Sequence, residues 1–301
     1  MTTALGPRTG TTAPLPAGTP AATRDRARPV RPWAKPLTYV LLVALSALLL
    51  VPFFWMVSAS LKTNDQVFTV PIRWIPEELH WDNFVTIWDR VPLMTYLRNS
   101  AFLAGVITLL QVLTGSFAAY GFSKIRFPGR DGLFLAYIAT IAVPWQAYMI
   151  PQYILMQRAG LVNTFTALIL LQAFSAFGVF LMRQYYMSVP DELVEAARID
   201  GLSEYGIYRR IMLPLSVPAL ASLALLTFVN TWNDFMGPFI YLTSNDLWTI
   251  QLGLRQFVGQ FDAEYAMIMT GSVISVIPIL LVFLLGQRYF IQGIATSGLK
   301  G

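Results

Sequence analysis

The sequence predicts an all-α polytopic membrane protein with six transmembrane helices. Three observations carry that expectation. The 301 residues are 55% hydrophobic and only 12% charged, whereas soluble domains carry roughly 25% charged residues. Six apolar stretches each approach the ~20 residues needed to cross a bilayer. The basic residues gather at the ends of those stretches instead of forming one patch, so the net charge of +5 points to membrane topology and not to nucleic acid. The absence of cysteine excludes disulfides and thiolate metal sites without assigning a compartment.

Residues 1–36 are rich in Pro, Thr, Ala, Gly and Arg and contain nothing that buries a core. They read as a disordered cytoplasmic tail. The first predicted span is Leu37–Ser58. It starts too late, and lacks the small-residue cleavage site, for a signal peptide. A long external loop follows, so that 37–97 forms one segment. Its Trp74, Trp81 and Trp88 read as interface anchors or as small packed clusters. His80, the only histidine, has no partner with which to build a metal site.

The core, 98–290, holds the other five predicted spans: Asn99–Phe122, Leu133–Tyr153, Thr166–Tyr185, Leu213–Phe235 and Met267–Phe290. The second span contains Ala101–Gly105 and Gly115–Ala119, a spacing that lets helices approach closely in lipid. Pro144 is expected to kink the third span. The fifth ends in Asn230, Trp232, Asn233 and Asp234. Polar groups at membrane depth usually face protein or water, so these four are the candidate lining of a solute path. Asp234 has a competing reading as the cap of a helix that is already ending. Residues 291–301 form a C-terminal tail. With the N-terminus inside, fifteen of the 21 lysines and arginines lie on the cytoplasmic side. Outside the N-terminal tail the split is nine to six. An even span count then puts both termini, and the loop 188–214, inside.

That loop reads SVPDELVEAARIDGLSEYGIYRRIMLP. Ser188 and Asp191 fit a capping box with Pro190 in the first turn. Asp191, Glu192 and Glu195 suit the positive end of a helix dipole. Gly201 stops the helix, and Ser203 with Glu204 starts a second one running toward Pro214. A capped polar helix pair between two spans is more than a connector. Its residues Glu195, Ala196, Ala197, Asp200, Gly201, Ile211, Leu213 and Pro214 resemble, at every spacing, the cytoplasmic coupling loop of ABC importer permeases. AAYGFSKIRFPGR at 118–130, TWNDF at 231–235 and the GQRYFIQGIATSGLKG terminus are similar to segments of the carbohydrate branch, in its maltose-type second-permease subgroup. Asp234 stands where the family more often has Glu.

The resemblance covers about residues 37–301 and implies a type I ABC importer permease fold. It implies a multi-pass subunit in the cytoplasmic membrane that couples ATP hydrolysis by two separate ATP-binding subunits to alternating access. A second permease subunit and an extracytoplasmic solute-binding protein are further implied partners. Gly298, Lys300 and Gly301 in the tail are implied to reach the ATPase dimer. The chain itself has no phosphate-binding loop, no nucleophile elbow and no cluster of metal ligands. It is therefore expected to be no enzyme and to need no cofactor. The alternatives are a permease of the peptide, amino-acid or polyamine branches, which share the loop, and an ion-driven secondary transporter. The latter should carry several intramembrane charges and internal repeats, and this sequence shows one Asp and no clear repeat.

Overall fold

The computed structural model describes residues 34–259 and 262–298. Among them all regular structure is helical, with one isolated bridge between Val258 and Ala263. The chain falls into two units. In the first, which ends at Val51, residues 35–51 are helical and exposed, as suits a segment with lipid for solvent. The second begins at Pro52 and contains all the packing described below.

The helices are α1 (Ala34–Ser60), α2 (Asn83–Arg90), α3 (Leu93–Lys124), α4 (Arg130–Ala139), α5 (Met149–Arg158), α6 (Phe165–Gln172), α7 (Ala176–Ser188), α8 (Asp191–Ile199), α9 (Glu204–Ile207), α10 (Leu213–Leu215), α11 (Val217–Trp232), α12 (Met236–Tyr241), α13 (Ile250–Leu254) and α14 (Tyr265–Gly298). Four stretches among the described residues are long and apolar enough to cross a membrane: Lys35–Ser60, Leu93–Lys124, Phe165–Ser188 and Tyr265–Arg288. The pair Glu204–Leu215 and Val217–Trp232, bent by 77°, makes a fifth if it is one span.

The expected six are not reached, because Leu133–Tyr153 is not a continuous helix. It divides into α4, two 3-10 turns and α5. Pro144 is the cause. It offers no N–H, and it holds the preceding Val143 in extended backbone at φ −84°, ψ 113°. The kink expected there is a complete interruption.

Packing centres on α3, which runs along α7 and α11, while α11 also packs along α14. Only one of the two small-residue pairs takes part. A Cβ on Gly115 would lie 3.4 Å from the backbone of Gly178, and Ala119 is buried; Ala101 and Gly105 face outward. The loop between α1 and α2 is tied down by polar contacts. Asn83 donates to the carbonyls of Ser60 and Lys62, both at 2.9 Å, and the buried Lys62 donates to the Arg73 carbonyl at 2.5 Å while lying over Trp55. Trp74 meets Trp55 edge-on at 5.3 Å, and Trp81 lies near Phe84. These tryptophans thus form small clusters. His80 sits 3.6 Å from Asp82.

Candidate functional site

The loop 188–214 folds as two short helices with a sharp stop between them. Gly201 has φ +82°, the left-handed region that costs glycine little. Its N–H bonds the Arg198 carbonyl and that of Leu202 bonds Ala197, both at 3.0 Å. This double closure is a Schellman motif. Ser203 caps α9, accepting from the Gly206 N–H at 3.2 Å. The expected capping box at the start of α8 does not form. Ser188 belongs to the last turn of α7, where its hydroxyl bonds the Tyr185 carbonyl, and Pro190 occupies the N-cap position of α8. After α9 the chain widens into a π-turn over Tyr208–Met212. Pro214 donates no bond there, and the Leu213 N–H reaches back to Tyr208.

The loop has an inner and an outer face. Val194, Ala197, Ile207, Tyr208 and Met212 join one buried cluster with Ala119 and Tyr120 of α3 and Met182 and Tyr186 of α7. Ala197 therefore packs against this chain's own core, whereas Ala196 faces outward. Glu192, Glu195, Ala196, Ile199 and Asp200 face outward, with Ile199 86% exposed. The side chains of Glu195 and Asp200 make no hydrogen bond or close ion pair with the described residues, and the Glu195 charge acts on Arg198 from a distance. Leu213 is half-buried and Pro214 exposed, where the loop turns into the membrane.

A polar tether fixes this element to α3. The side chain of Lys124 is 3% exposed. It donates to the Val189 carbonyl at 2.7 Å and to Asp191 at 2.5 Å. The bound ammonium holds the Asp191 carboxyl below its ordinary range. Arg198 bonds Glu204 at 2.7 Å and the Lys124 carbonyl at 3.2 Å, and Tyr120 donates to the other Glu204 oxygen at 2.7 Å. Sequence reasoning missed Lys124, because its partners lie 65 and 67 residues away.

The four residues of the candidate solute path part company. Asn230 and Asp234 line a cavity of about 320 Å³. Asp234 also lines a second cavity, of about 260 Å³, with Trp145, Gln152 and Tyr241. Asn233 is exposed, donating to the Val229 carbonyl and accepting from Gln251. Trp232 is apart from all of these: it is 2% exposed, and its indole N–H reaches Ser275 on α14. It is a core residue. Asp234 accepts from the Gly237 N–H at 3.1 Å, so it caps the start of α12 and not, as the competing reading has it, the end of the fifth span. A further bond comes from Gln172, at 3.0 Å. Gln172 was not singled out from the sequence; an amide inside the apolar run 165–172 was the available signal. In the C-terminal tail, Gly298 is the last residue of α14, while Lys300 and Gly301 lie outside the described residues.

The family described as binding-protein-dependent transport system inner membrane component matches residues 111–296. The arabinooligosaccharides transport system permease protein AraQ of Halalkalibacterium halodurans is 38% identical over 253 residues, covering 83% of this chain and 91% of that protein. The lactose transport system permease protein LacG of Rhizobium radiobacter is 34% identical over 259 residues, covering 86% and 94%. The sn-glycerol-3-phosphate transport system permease protein UgpE of Pectobacterium atrosepticum is 32% identical over 266 residues, covering 86% and 94%. Among solved structures, a bacterial ABC transporter involved in the import of the acidic polysaccharide alginate aligns at a TM-score of 0.74 over 90% of this chain and 100% of that one. At 23% identity this likeness speaks for the fold alone.

Proposed function

The chain belongs to the inner membrane components of binding-protein-dependent transport systems, the permeases of ABC importers, and from that premise we propose that it carries a saccharide across the cytoplasmic membrane, driven by ATP hydrolysis in separate subunits. The observation that carries the proposal is the outward face of α8. Glu195 and Asp200 make no side-chain hydrogen bond or close ion pair within the described residues, Ile199 is bare, and the helix is closed by a left-handed glycine and tethered at its base. Such an element suits docking in a groove of an ATP-binding subunit.

The proposed assembly has two ATP-binding subunits, a second permease and an extracytoplasmic solute-binding protein. Closure of the ATPase pair would displace α8. The tether to α3 and the shared core with α7 would carry that displacement into the spans, rocking them between inward- and outward-facing states. Orientation follows from the basic residues: both termini and the loop 188–214 lie on the cytoplasmic side. Contacts of Gly298, Lys300 and Gly301 with the same ATPase pair are part of the proposal, on the strength of the family resemblance of the tail. A saccharide solute is supported by the relatives named for arabinooligosaccharides and lactose.

Two substitutions test docking. Glu195→Lys reverses a charge on the outer face. Gly201→Pro demands φ near −65° where the chain has +82°. Each should abolish uptake and release the ATPase subunit in pull-downs from membranes, while insertion of the permease is unchanged. Normal uptake by both variants would defeat the assignment.

A further inference from the structure

Two membrane-depth helices are interrupted, and their interruptions meet. Within the apolar stretch 165–188, α6 stops at Gln172 and α7 starts at Ala176. The stretch from Glu204 through Trp232 ends at α11, and Asp234 bridges to α12. The Gln172 amide donates to Asp234 across this gap. Backbone freed by such breaks must find partners when water is scarce. Here α3 supplies them: Gln111 donates to the Gln172 carbonyl at 2.7 Å and Thr114 to the Ala173 carbonyl at 2.9 Å. Thr227 on α11 in turn donates to Gln111 at 3.1 Å. A polar band thus crosses α3, α6 and α11. Bands of this kind are costly in lipid, and broken helices at membrane depth are found where they are buried or line a cavity.

Two cavities flank the Gln172–Asp234 bond, and both residues line both of them. Their volumes, about 260 and 320 Å³, lie at the lower end of small-molecule sites. The first is floored by an aromatic ring held in place. The Trp145 indole N–H bonds Gln152 at 2.8 Å, and the Tyr241 hydroxyl reaches the same oxygen at 3.4 Å. An aromatic face attracts the C–H edge of a sugar ring through its negative quadrupole. Among the described residues Asp234 accepts from the Gln172 amide and from the Gly237 and Met236 backbone N–H groups, whereas a carboxylate offers about four acceptor positions. Among the described residues no Lys, Arg or His lines either cavity.

We propose that this subunit contains its own solute subsite, selective for a neutral saccharide, in which a sugar ring packs on Trp145 while its hydroxyls displace Gln172 from Asp234 and join the two cavities into one path. The subsite deepens the permease reading and depends on it. The carboxylate and the lack of any cation disfavour a phosphorylated or uronic-acid solute.

The test uses the complete importer in proteoliposomes, with labelled arabinobiose, lactose and maltotriose as neutral solutes and sn-glycerol-3-phosphate and a uronate disaccharide as anionic ones. Wild type should carry a neutral sugar and neither anion. Trp145→Ala and Asp234→Asn should raise its KM at least tenfold, with the ATPase subunit still co-purifying, and Gln172→Ala should change it in either direction by threefold or more. Uptake of an anionic solute, or of none of the neutral ones, overturns the neutral subsite. So does an unchanged KM in all three variants. That last result, with Glu195→Lys still inactive, would leave the permease reading standing. Full uptake by both Glu195→Lys and Gly201→Pro would instead strike the docking assignment itself. A second arm exploits the absence of native cysteine: Gln172→Cys should react with a water-soluble maleimide, and the transported sugar should slow that reaction at least threefold. A rate indifferent to sugar counts against the subsite.

Discussion

Replacing Lys124 by Met tests whether α8 is held to the transmembrane core by its polar tether. Met keeps an apolar stem in the buried position and removes the ammonium. Two bonds are lost. The pair with Asp191 is worth at most about 1 kcal/mol, because that carboxylate is 70% exposed and screened by water. The bond to the Val189 carbonyl joins a charged donor to a neutral acceptor at 2.7 Å and contributes about 1.5–3 kcal/mol. Relief from burying a cation offsets part of this in global stability, but not in the local attachment of α8, which loses both contacts. Loosening by about 2–3 kcal/mol raises the undocked population of α8 roughly 30- to 150-fold, at 1.4 kcal/mol per decade. Hydrogen exchange of the amides of 191–199 in nanodiscs reads that population directly. Uptake per ATP hydrolysed in proteoliposomes reads its consequence, and it should fall while ATPase turnover persists. If α8 in Lys124→Met exchanges as slowly as wild type and the transport ratio is unchanged, the tether has no mechanical role and the reasoning fails.

Further outcomes follow from other contacts. The Asp191 carboxyl is held below its ordinary range by Lys124, so its contribution is complete above pH about 4 and is lost as pH falls through the depressed folded value; exchange protection of α8 should be flat from pH 8 to 5 and drop only under stronger acid, a drop reduced in Lys124→Met to what the likewise depressed Glu204 contributes. Gly115→Leu would drive a side chain into Gly178 and Leu223 and should cost about 1–3 kcal/mol, seen as a lower melting temperature in detergent. Trp232→Phe removes the bond to Ser275 within the core, so it should lower thermal stability by about 1–3 kcal/mol while leaving KM for the solute unchanged; a selective KM effect would return Trp232 to the solute path. In Gly237→Ala the new Cβ would lie 2.5 Å from an Asp234 carboxylate oxygen, so the carboxylate must swing away and KM should rise as in Asp234→Asn.

What could be read from the sequence was local in origin. Gly201, Ser203 and Pro214 act on their own turns, and the helix stop and the second cap were legible at the first two of these residues. Ser188 was misplaced for an equally local reason: two helices compete for its hydroxyl, and the Tyr185 carbonyl of the earlier one takes it. Pro144 was seen, but the extent of its effect was not, since a kink and a break begin with the same missing bond. Ala197 and Trp232 were assigned by type, as a small docking residue and a polar-edged aromatic. Which face they present depends on α3, α7 and α14, far away in sequence. Lys124 and Gln172 were missed for the same cause. Each looks unremarkable among its neighbours and acquires a role only from a residue more than sixty positions away.

The contact between Gly115 and Gly178 has a mechanical corollary. With no methyl group between their backbones, α3 and α7 lie too close to roll over one another, and both share the core that receives α8. In the proposed cycle a push on α8 would be handed along this close-packed pair until it reaches the first break in the chain, at Gln172. Stiffness below and a joint above would concentrate the whole stroke at the two severed helix ends.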